Sequence, residues 1–311
     1  MTPGYGGEVA GALLLDALVG EPPKAVHPTV WMGRAISACE RRALELKDPR
    51  IRRLAGVALA FVLPALVYLA AWTILRVAPR ALKPVLGAIL ISTPLSMRGL
   101  AAAAGAVEQG LRNGDLDRAR AGAGEMVGRD TDGVSASEVA RAAVESVAEN
   151  ASDGVVAPML YGLLLGAPGA LAYRAINTLD SMVGYRIGPY EELGWAPARL
   201  DDLANLAPAR ATALGAAAVS GRAVRTLGVA WRYGPLTASP NAGWAEAAFA
   251  GALDLRLGGT SSYGGVVRNG PILGEGRCPE PEDIGRAVEI MRACCALLAG
   301  AAVLQEVSRR G

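Results

Sequence analysis

The longest apolar run in the chain covers Leu54 to Leu75 and contains no charged residue. At about 1.5 Å per residue, a helix of this length spans a hydrocarbon core of roughly 30 Å. A second, shorter apolar run follows from Val85 to Met97, after a basic turn. A buried helix in a large soluble core is the alternative for the first run. The two runs together favour a membrane helical hairpin over residues 54–97.

Residues 98–152 have a different pattern, which is typical of soluble helices. The letters RNGD predict the turn between an Ala-rich helix and a second, antiparallel helix. Ser135 lies three residues before Glu138, which is a capping-box pattern for a helix that reaches Asn150. We expect these helices on the cytoplasmic side of the membrane.

The last of these helices places four charged residues on one face, because they recur at three- and four-residue steps. They are Glu138, Arg141, Glu145 and Glu149. A solvated stripe with an Arg141–Glu145 ion pair is the simplest interpretation, and it suffices for Glu138. Glu149 is different, because two more polar residues and then an uncharged segment follow it. A polar cluster at the entrance of an apolar segment indicates a functional site.

The uncharged segment runs from Val155 to Tyr173 and is interrupted by GAPG at residues 166–169. Glycine and proline at that point predict two short helices in place of one straight span. Such a re-entrant hairpin would return the chain to the same side of the membrane. The polar residues before the hairpin would then face those after it. A straight crossing, which would place the two clusters on opposite sides of the bilayer, is the alternative.

Three polar clusters flank apolar segments in this half of the chain. They comprise Glu149, Asn150 and Asp153; Asn177, Asp180 and Ser181, followed by Tyr185 and Arg186; and Arg199, Asp202 and Asn205. A further polar group contains Asn241 and Glu246, and residues 257–265 are predicted to form a glycine-rich loop. The last helix is predicted to begin at about Asp283. We find no long internal repeat.

Charge and composition narrow the possible partners and ligands. The formal net charge of +2 gives no support to a nucleic-acid partner. Eight basic residues between Lys24 and Arg53 precede the first span, which predicts a cytoplasmic location for that region. Acidic residues interrupt the first apolar stretch, so no cleaved signal peptide is expected. One histidine and four cysteines without metal-ligand spacing exclude His-rich zinc and iron sites.

Oxygen atoms of carboxylates and amides therefore remain as possible metal ligands, and the metal ion would be a hard one such as Mg²⁺. The three acidic or amide-bearing clusters suit an ion that bridges to phosphate oxygens. Arg129, Arg186 and Arg199 could bind anions through two parallel hydrogen bonds each. The phosphate-binding loop, the GxGxxG spacing and the GxSxG elbow are all absent from the sequence. Any use of ATP would require an unfamiliar site.

Five blocks of sequence follow one another along the chain: VGRDTDG, AAVESVAENASDGVVAP, YRAINTLDSMVGYR, GWAPARLDDLANLAPAR and SPNAGWAEAAFAGAL. Their order and content resemble those of the CobD/CbiB family of cobalamin biosynthesis. The N-terminal LLLDALVGEPPKAVHPTVWMGRAI is also similar to the opening of that family. The chain therefore resembles the adenosylcobinamide-phosphate synthases over nearly its whole length.

The pattern and the resemblance together predict an all-α, polytopic integral membrane protein with short or re-entrant helices and a cytoplasmic helical portion. One domain would cover residues 1–311. Residues 1–53 would form a cytoplasmic amphipathic region, and residues 54–97 the membrane hairpin. Residues 98–152 would be cytoplasmic helices. Residues 153–311 would carry the site, the re-entrant hairpin and the C-terminal membrane helix.

The resemblance implies a multi-pass inner-membrane ligase with a cytoplasmic N-terminus and active site. It would join a carboxylate of adenosylcobyric acid to the amine of (R)-1-amino-2-propanol phosphate, or of a close amino alcohol, with ATP as co-substrate and Mg²⁺. A carboxylate is a poor electrophile, so activation as an acyl phosphate is expected, with Mg²⁺ and arginines neutralising the phosphoryl group. The implied partners are these substrates, the lipid bilayer and other membrane enzymes of the late pathway.

The residues that match the family's blocks receive roles on this basis. Asp153 and Asp180 are expected to bind Mg²⁺, and Glu149 is the candidate base for the amine. Arg129, Arg186 and Arg199 would hold phosphate. The remaining candidates, as oxygen ligands or substrate contacts, are Asn150, Asn177, Ser181, Tyr185, Asp202, Asn205, Asn241 and Tyr263.

A non-enzymatic inner-membrane protein, either a regulator or a corrinoid transporter of related fold, is the competing interpretation. A transporter would need more full-length crossings than the pattern provides, with polar residues buried in mid-span. A regulator would not need an intact RAINTLDSMVGYR block, whereas an enzyme would. The short, interrupted apolar segments therefore favour the enzyme.

Overall fold

In the computed structural model, the chain is described over residues 4–185 and 187–310, with the backbone alone at residues 305, 309 and 310. Helices dominate, and one two-stranded antiparallel sheet accompanies them. The helices are α1 (Gly6–Leu18), α2 (Pro28–Leu44), α3 (Pro49–Val77), α4 (Lys83–Ser92), α5 (Met97–Arg112), α6 (Leu116–Met126), α7 (Ala136–Ala151), α8 (Ala157–Val183), α9 (Tyr190–Leu193), α10 (Trp195–Ala204), α11 (Leu206–Val219), α12 (Ala223–Tyr233), α13 (Ala242–Leu253) and α14 (Pro281–Arg310). The strands are β1 (Leu257–Tyr263) and β2 (Val266–Leu273).

Four helical stretches of the described residues are long and apolar enough to cross a membrane. They are Pro49–Val77, Arg80–Arg112, Ala136–Val183 and Pro281–Ser308. The predicted fold class, a helical polytopic membrane protein, is confirmed.

The first predicted span lies within α3, which has 29 residues. Asp48 caps the helix, since its carboxylate accepts a hydrogen bond of 2.8 Å from the backbone N–H of Arg50. Proline follows at the first helical position, where its missing N–H costs nothing. Phe61, Leu66 and Trp72 are about half exposed or more, as expected for side chains that face lipid.

The second apolar run is less regular than predicted. A helix over residues 85–97 was expected, but α4 ends at Ser92 and α5 begins at Met97. Pro94 lies in the gap, and proline removes a backbone donor and disfavours helical geometry in the residue before it. The prediction of one continuous helix up to Met97 was therefore wrong in its boundary.

The predicted helix pair and the helix after it are confirmed. Asn113, Gly114 and Asp115 form the turn between α5 and α6, and Gly114 adopts a φ of 75°. The Ser135 hydroxyl caps α7 by accepting a hydrogen bond of 3.3 Å from the backbone N–H of Glu138. α7 ends at Ala151 and continues into a π-helical turn over Ser152–Val156.

The predicted break at GAPG is also confirmed. Gly166 leaves helical geometry, with φ 70° and ψ −166°, so α8 consists of two short helices. The rings of Tyr161 and Tyr173 stack with their centroids 5.0 Å apart. Residues at this spacing in a straight helix would be about 18 Å apart, so the chain turns back on itself. Ala157 packs in the same cluster as Tyr173, which brings the start of the hairpin to its second arm.

The glycine-rich segment at residues 257–265 was predicted as a loop, and the structure corrects this. It forms β1, which pairs with β2 in a hairpin whose register runs from Leu257 opposite Leu273 to Tyr263 opposite Val266. Gly264 and Gly265 make the turn with φ values of 57° and 78°. Glycine adopts this left-handed geometry without the steric cost of a side chain, and that need explains the unusual composition.

The chain divides into two compact units, each built from separated segments. Unit 1 comprises Met1–Ser96, Ala157–Asn205 and Leu298–Gly311. Unit 2 comprises Met97–Val156 and Leu206–Leu297, and it contains the β-hairpin.

Candidate active site

The charged face of α7 is buried in unit 2. The side chains of Arg141 and Glu145 are 8% and 11% exposed, whereas that of Glu138 is 47% exposed. The interpretation of a solvated stripe is therefore right for Glu138 and wrong for the other two. Every residue of α7 from position 139 to 148 is buried, so the two charged residues in this stretch need partners.

Glu145 links two guanidinium groups. Its Oε2 lies 2.6 Å from Nη2 of Arg129, and its Oε1 lies 3.1 Å from Nη1 of Arg141. Arg141 also bonds to the Glu138 carboxylate through Nη2 at 2.5 Å. Buried charges are tolerated best when they are paired and hydrogen-bonded. Arg141 and Glu145 meet both conditions, whereas Nη2 of Arg129 is held by the ion pair with Glu145 alone.

Arg141 and Glu145 of α7 also form hydrogen bonds with the backbone of strand β1. Arg141 donates to the carbonyl oxygens of Gly258 and Thr260, at 2.6 and 2.8 Å. The backbone N–H of Gly258 donates to Oε1 of Glu145 at 2.6 Å. Backbone groups that a third strand would satisfy in a larger sheet are satisfied here by an ion pair. The position of the hairpin therefore depends on the charged cluster.

Asp130 holds the tip of the hairpin. Its carboxylate accepts hydrogen bonds from the Ser262 hydroxyl at 2.6 Å and from the backbone N–H groups of Gly264 and Gly265 at 3.0 and 2.8 Å. The bond from Ser262, followed by that from Gly265, lowers the pKa of Asp130. Beside it, Nη1 of Arg129 donates to the Ser261 hydroxyl at 2.9 Å.

Two adjoining cavities lie along this cluster. The larger has a volume of about 770 Å³, and the smaller one of about 480 Å³. Both are lined by Arg129, Arg141 and residues of β1. The smaller cavity is also lined by Glu149, Glu246 and Tyr263. Cations, carboxylates and a tyrosine thus converge on one concave surface, which is the usual form of a small-molecule site.

Glu246 on α13 is the carboxylate with the most unfavourable surroundings in this cavity. Burial raises its pKa well above the usual value, and the negative charges of Glu145 and Glu149 raise it further. Arg129 and Arg141 act in the opposite direction. A carboxyl group with a raised pKa next to a cavity is a candidate for proton transfer.

A second polar cluster lies in unit 1 and consists mainly of uncharged groups. Asn205 and Asn177 donate to the two carboxylate oxygens of Asp201, at 2.9 and 3.4 Å. The Tyr173 hydroxyl donates to Oδ1 of Asn205 at 2.7 Å. Burial raises the pKa of Asp201 to about 6. This network connects α10 to the second arm of the α8 hairpin.

The predicted site residues of unit 2 fall into two groups. Arg129, Glu149 and Tyr263 line the smaller cavity. Asn150 instead bonds to the Ser146 carbonyl within α7, at 2.9 Å, and Asn241 accepts a hydrogen bond of 2.7 Å from Arg210. Asp153 lies in the π-helical turn after α7.

The predicted residues of unit 1 are distributed over α8, α10 and the segment between them. Asn177 and Asn205 belong to the Asp201 network. Ser181 donates to the Asn177 carbonyl, and Tyr185 donates to the Ser181 carbonyl, both at 2.9 Å. Arg199 and Asp202 form a partly exposed pair at 3.5 Å. Asp180 lies one turn before Gly184 at the end of α8, and Arg186 lies outside the described residues.

The sequence interpretation did not assign a role to four charged residues that the structure brings forward: Asp130, Arg141, Glu145 and Asp201. Glu246 was noted there only as part of a polar group. The apolar neighbours of Arg141 and Glu145 along α7 were a signal that the two side chains could be buried, but they did not indicate the partners in β1. The described residues contain no group of three or more His, Cys, Asp or Glu side chains placed to hold a metal ion. The predicted Mg²⁺ ligands Asp153 and Asp180 therefore stay a prediction.

Comparisons with known proteins agree on one family. The sequence profile of the CobD/Cbib protein family matches residues 9–291. A cobalamin biosynthesis protein CobD of Chromobacterium violaceum is 45% identical over 289 residues, covering 90% of each chain. Proteins of the same name from Rhodobacter capsulatus and Synechocystis are 42% and 40% identical, covering 92% and 87% of this chain and 92% and 82% of their own. No solved structure matches.

Proposed function

The chain belongs to the CobD/Cbib protein family, and from this premise we propose that it acts in cobalamin biosynthesis as an adenosylcobinamide-phosphate synthase. In this proposal it forms an amide between adenosylcobyric acid and (R)-1-amino-2-propanol phosphate, or a close amino alcohol, in a bacterial inner membrane. The structural observation that supports catalysis is the convergence of Arg129, Arg141, Glu149 and Glu246 on one pair of adjoining cavities.

Amide formation from a carboxylate requires an activated acyl group and a neutral amine. The guanidinium groups of Arg129 and Arg141 are fixed by Glu145, so they do not need to reorganise when negative charge develops on a phosphoryl or acyl group. Such preorganised charge is the main means by which proteins assist phosphoryl transfer.

The amine arrives as an ammonium ion and must lose a proton before it attacks. Glu149 is our candidate acceptor, because it lines the smaller cavity together with Glu246. A carboxylate in hydrogen-bond reach of the ammonium group is the kind of side chain that accepts such a proton. Tyr263 lines the same cavity and would contact the substrate that enters it.

ATP and Mg²⁺ are part of the proposal because amide formation needs a source of free energy. Oxygen donors are the ligands that Mg²⁺ prefers, and one or two carboxylates suffice when substrate phosphates and water supply the rest. Asp153, just beyond Glu149 in the chain, is a candidate ligand of this kind, and Asp180 is a separate candidate in unit 1. When bound, the ion would neutralise phosphate charge.

A defined assay tests the proposal. The protein is purified in detergent, reconstituted in nanodiscs and incubated with adenosylcobyric acid, aminopropanol phosphate and MgATP, and the products are identified by mass spectrometry. We expect adenosylcobinamide phosphate to form while ATP is converted to ADP and inorganic phosphate, since the phosphate leaves the activated acyl group when the amine attacks. We also expect Glu149→Gln to reduce turnover roughly 100-fold or more, as for the loss of a general base.

Asp117→Asn is the control, because it neutralises a carboxylate that is 96% exposed and lines neither cavity. It should keep nearly full turnover. A correctly inserted wild-type protein that makes no product in the complete mixture would contradict the proposed reaction, and would leave the regulator or transporter as the better interpretation. Full activity of Glu149→Gln would instead remove only the assigned role of that residue.

A further inference from the structure

Helix α12, in unit 2, has an apolar surface on the side opposite to its packing face. Thr226 and Ala230 are buried, and α13 approaches so closely that a side chain at Gly251 would lie 2.9 Å from Cα of Thr226. On the other side, Val224 and Trp231 are 89% and 76% exposed. A helix on a water-exposed surface normally carries polar residues there.

The exposed residues form a connected stripe along the helix. Val224, Leu227 and Trp231 stand at three- and four-residue steps, so they share one face. All three are more than a third exposed, and Leu236, just after the helix, is 55% exposed. A stripe of this kind marks an interaction surface, in contrast to singly scattered apolar residues.

The length of α12 limits what can cover the stripe. Eleven residues give a helix of about 16 Å, which is too short for a hydrocarbon core of roughly 30 Å. The helix therefore cannot be a transmembrane span. A short helix with one strongly apolar face is typical of segments that lie in the plane of the membrane interface.

The charged residues of α12 fit the same location. The helix and its N-cap contain three arginines, at positions 222, 225 and 232, and no acidic residue. Arg222 and Arg225 pair with Asp254, and Arg232 pairs with Glu275 at 2.6 Å, and all three side chains stay about half exposed or more. Arginine beside tryptophan and leucine is the usual composition of an interfacial helix, because the guanidinium groups reach lipid phosphates.

Unit 2 is also held close to a bilayer by its own chain. Three of the four candidate membrane spans, Arg80–Arg112, Ala136–Val183 and Pro281–Ser308, continue into its residues. The apolar helix α11 precedes α12 directly in the same unit. We propose that α12 is an interfacial helix, and that the stripe of Val224, Leu227 and Trp231 docks unit 2 on the lipid surface.

Two neighbouring elements connect α12 to the candidate site. Glu275 follows β2 and accepts hydrogen bonds of 2.6 Å from both Arg232 and the Tyr233 hydroxyl at the end of α12. α12 also packs on α13, which carries Glu246. A membrane-docked α12 therefore fixes two of the elements that line the cavity.

Spin labelling of the full-length protein in nanodiscs tests the docking. In a Cys39→Ser, Cys278→Ser background, where the buried thiols Cys294 and Cys295 remain, a nitroxide is placed by Val224→Cys or by Leu227→Cys. Asp117→Cys is the aqueous control, since that side chain is 96% exposed, and Leu66→Cys on α3 is the lipid control. Collision rates with oxygen and with a water-soluble nickel chelate are measured at each position.

We expect labels at 224 and 227 to collide with oxygen several-fold more often than with the nickel chelate, as at 66 and unlike at 117. A label at 224 as accessible to nickel as the one at 117 would overturn the proposal. Low collision rates with both reagents, together with spin–spin broadening, would also overturn it, because a second copy of the chain would then cover the stripe. Two positions are used so that poor folding of one variant does not decide the result.

Discussion

The two polar clusters of this protein are built from different chemical groups. The cluster of unit 2 joins the charges of Arg129, Arg141 and Glu145 and lines open cavities. The network of unit 1 surrounds one carboxylate, Asp201, with amide groups. Paired charges beside a cavity can stabilise a reacting anion, whereas a satisfied amide network mainly fixes the helices that it connects. Chemistry is therefore better supported in unit 2, and positioning in unit 1.

The largest loss of stability should result when a buried carboxylate of the unit 2 cluster is removed by mutation. Glu145→Ala leaves Arg129 and Arg141 buried without their shared partner, and it removes the acceptor for Gly258 N–H. We expect a loss of about 3–5 kcal/mol in the free energy of unfolding, which is typical of a broken buried ion pair. Thermal unfolding in detergent, with activity measured in parallel, tests this expectation.

Glu138→Ala is the control for that experiment. It removes another carboxylate that contacts Arg141, but from a half-exposed position. Arg141 keeps Glu145 as its partner in this variant, and the lost carboxylate was in contact with water. We therefore expect a smaller loss of stability than for Glu145→Ala. Equal destabilisation by the two substitutions would mean that burial does not distinguish these carboxylates.

The single carboxylate in the network of unit 1 should make the free energy of unfolding depend on pH. The pKa of Asp201 is about 6 in the folded protein, against an ordinary value of 3.8. A raised folded pKa favours folding at low pH, and the contribution is lost as pH rises through the folded pKa. Between pH 4 and 7, the unfolding free energy of the wild type should fall by about 2 kcal/mol relative to Asp201→Asn. Parallel stability curves for the two proteins would contradict the raised pKa.

Several features of both units could be predicted from local sequence. The apolar run in α3, the RNGD turn, the Ser135 cap and the break at GAPG each follow from a few neighbouring residues. Their physical causes are lipid-compatible length, glycine geometry, capping and the missing N–H of proline, which are all local.

The cluster of unit 2 could not be predicted in the same way. An Arg and a Glu four residues apart give the same sequence pattern whether their helix face is exposed to solvent or buried. The strand that buries Arg141 and Glu145 lies more than 110 residues farther along the chain. That strand could not be recognised in the sequence either, because the glycines needed for its turn gave the segment the composition of a loop. Only the long-range packing reveals which charges are held together.

Glu246 provides a test that separates a structural from a chemical role within unit 2. Its raised pKa means that ionisation is unfavourable in the folded state, so the protein loses stability as pH rises above the ordinary value of 4.5. Glu246→Gln mimics the protonated form. We expect it to unfold at a higher temperature than the wild type at pH 8, with less difference at pH 5, and to reduce turnover roughly tenfold or more. Lower stability of the variant at pH 8 would contradict the assigned surroundings.

The smallest effect is expected at the tip of the hairpin, where Asp130 holds an exposed turn. Asp130→Asn removes the charge that three hydrogen bonds stabilise, while the hydrogen bonds from Arg141 to the carbonyl groups of β1 stay intact. Hydrogen exchange should therefore quicken at residues 262–266 and remain unchanged in α13. Because the pKa of Asp130 is lowered, its contribution persists above the ordinary value and is lost only as pH falls through the folded pKa, so the difference should be constant from pH 6 to 8. Unchanged exchange at the turn would show that the charge of Asp130 does not position the hairpin, and would leave the contacts of Arg129, Arg141 and Glu145 with β1 as its supports.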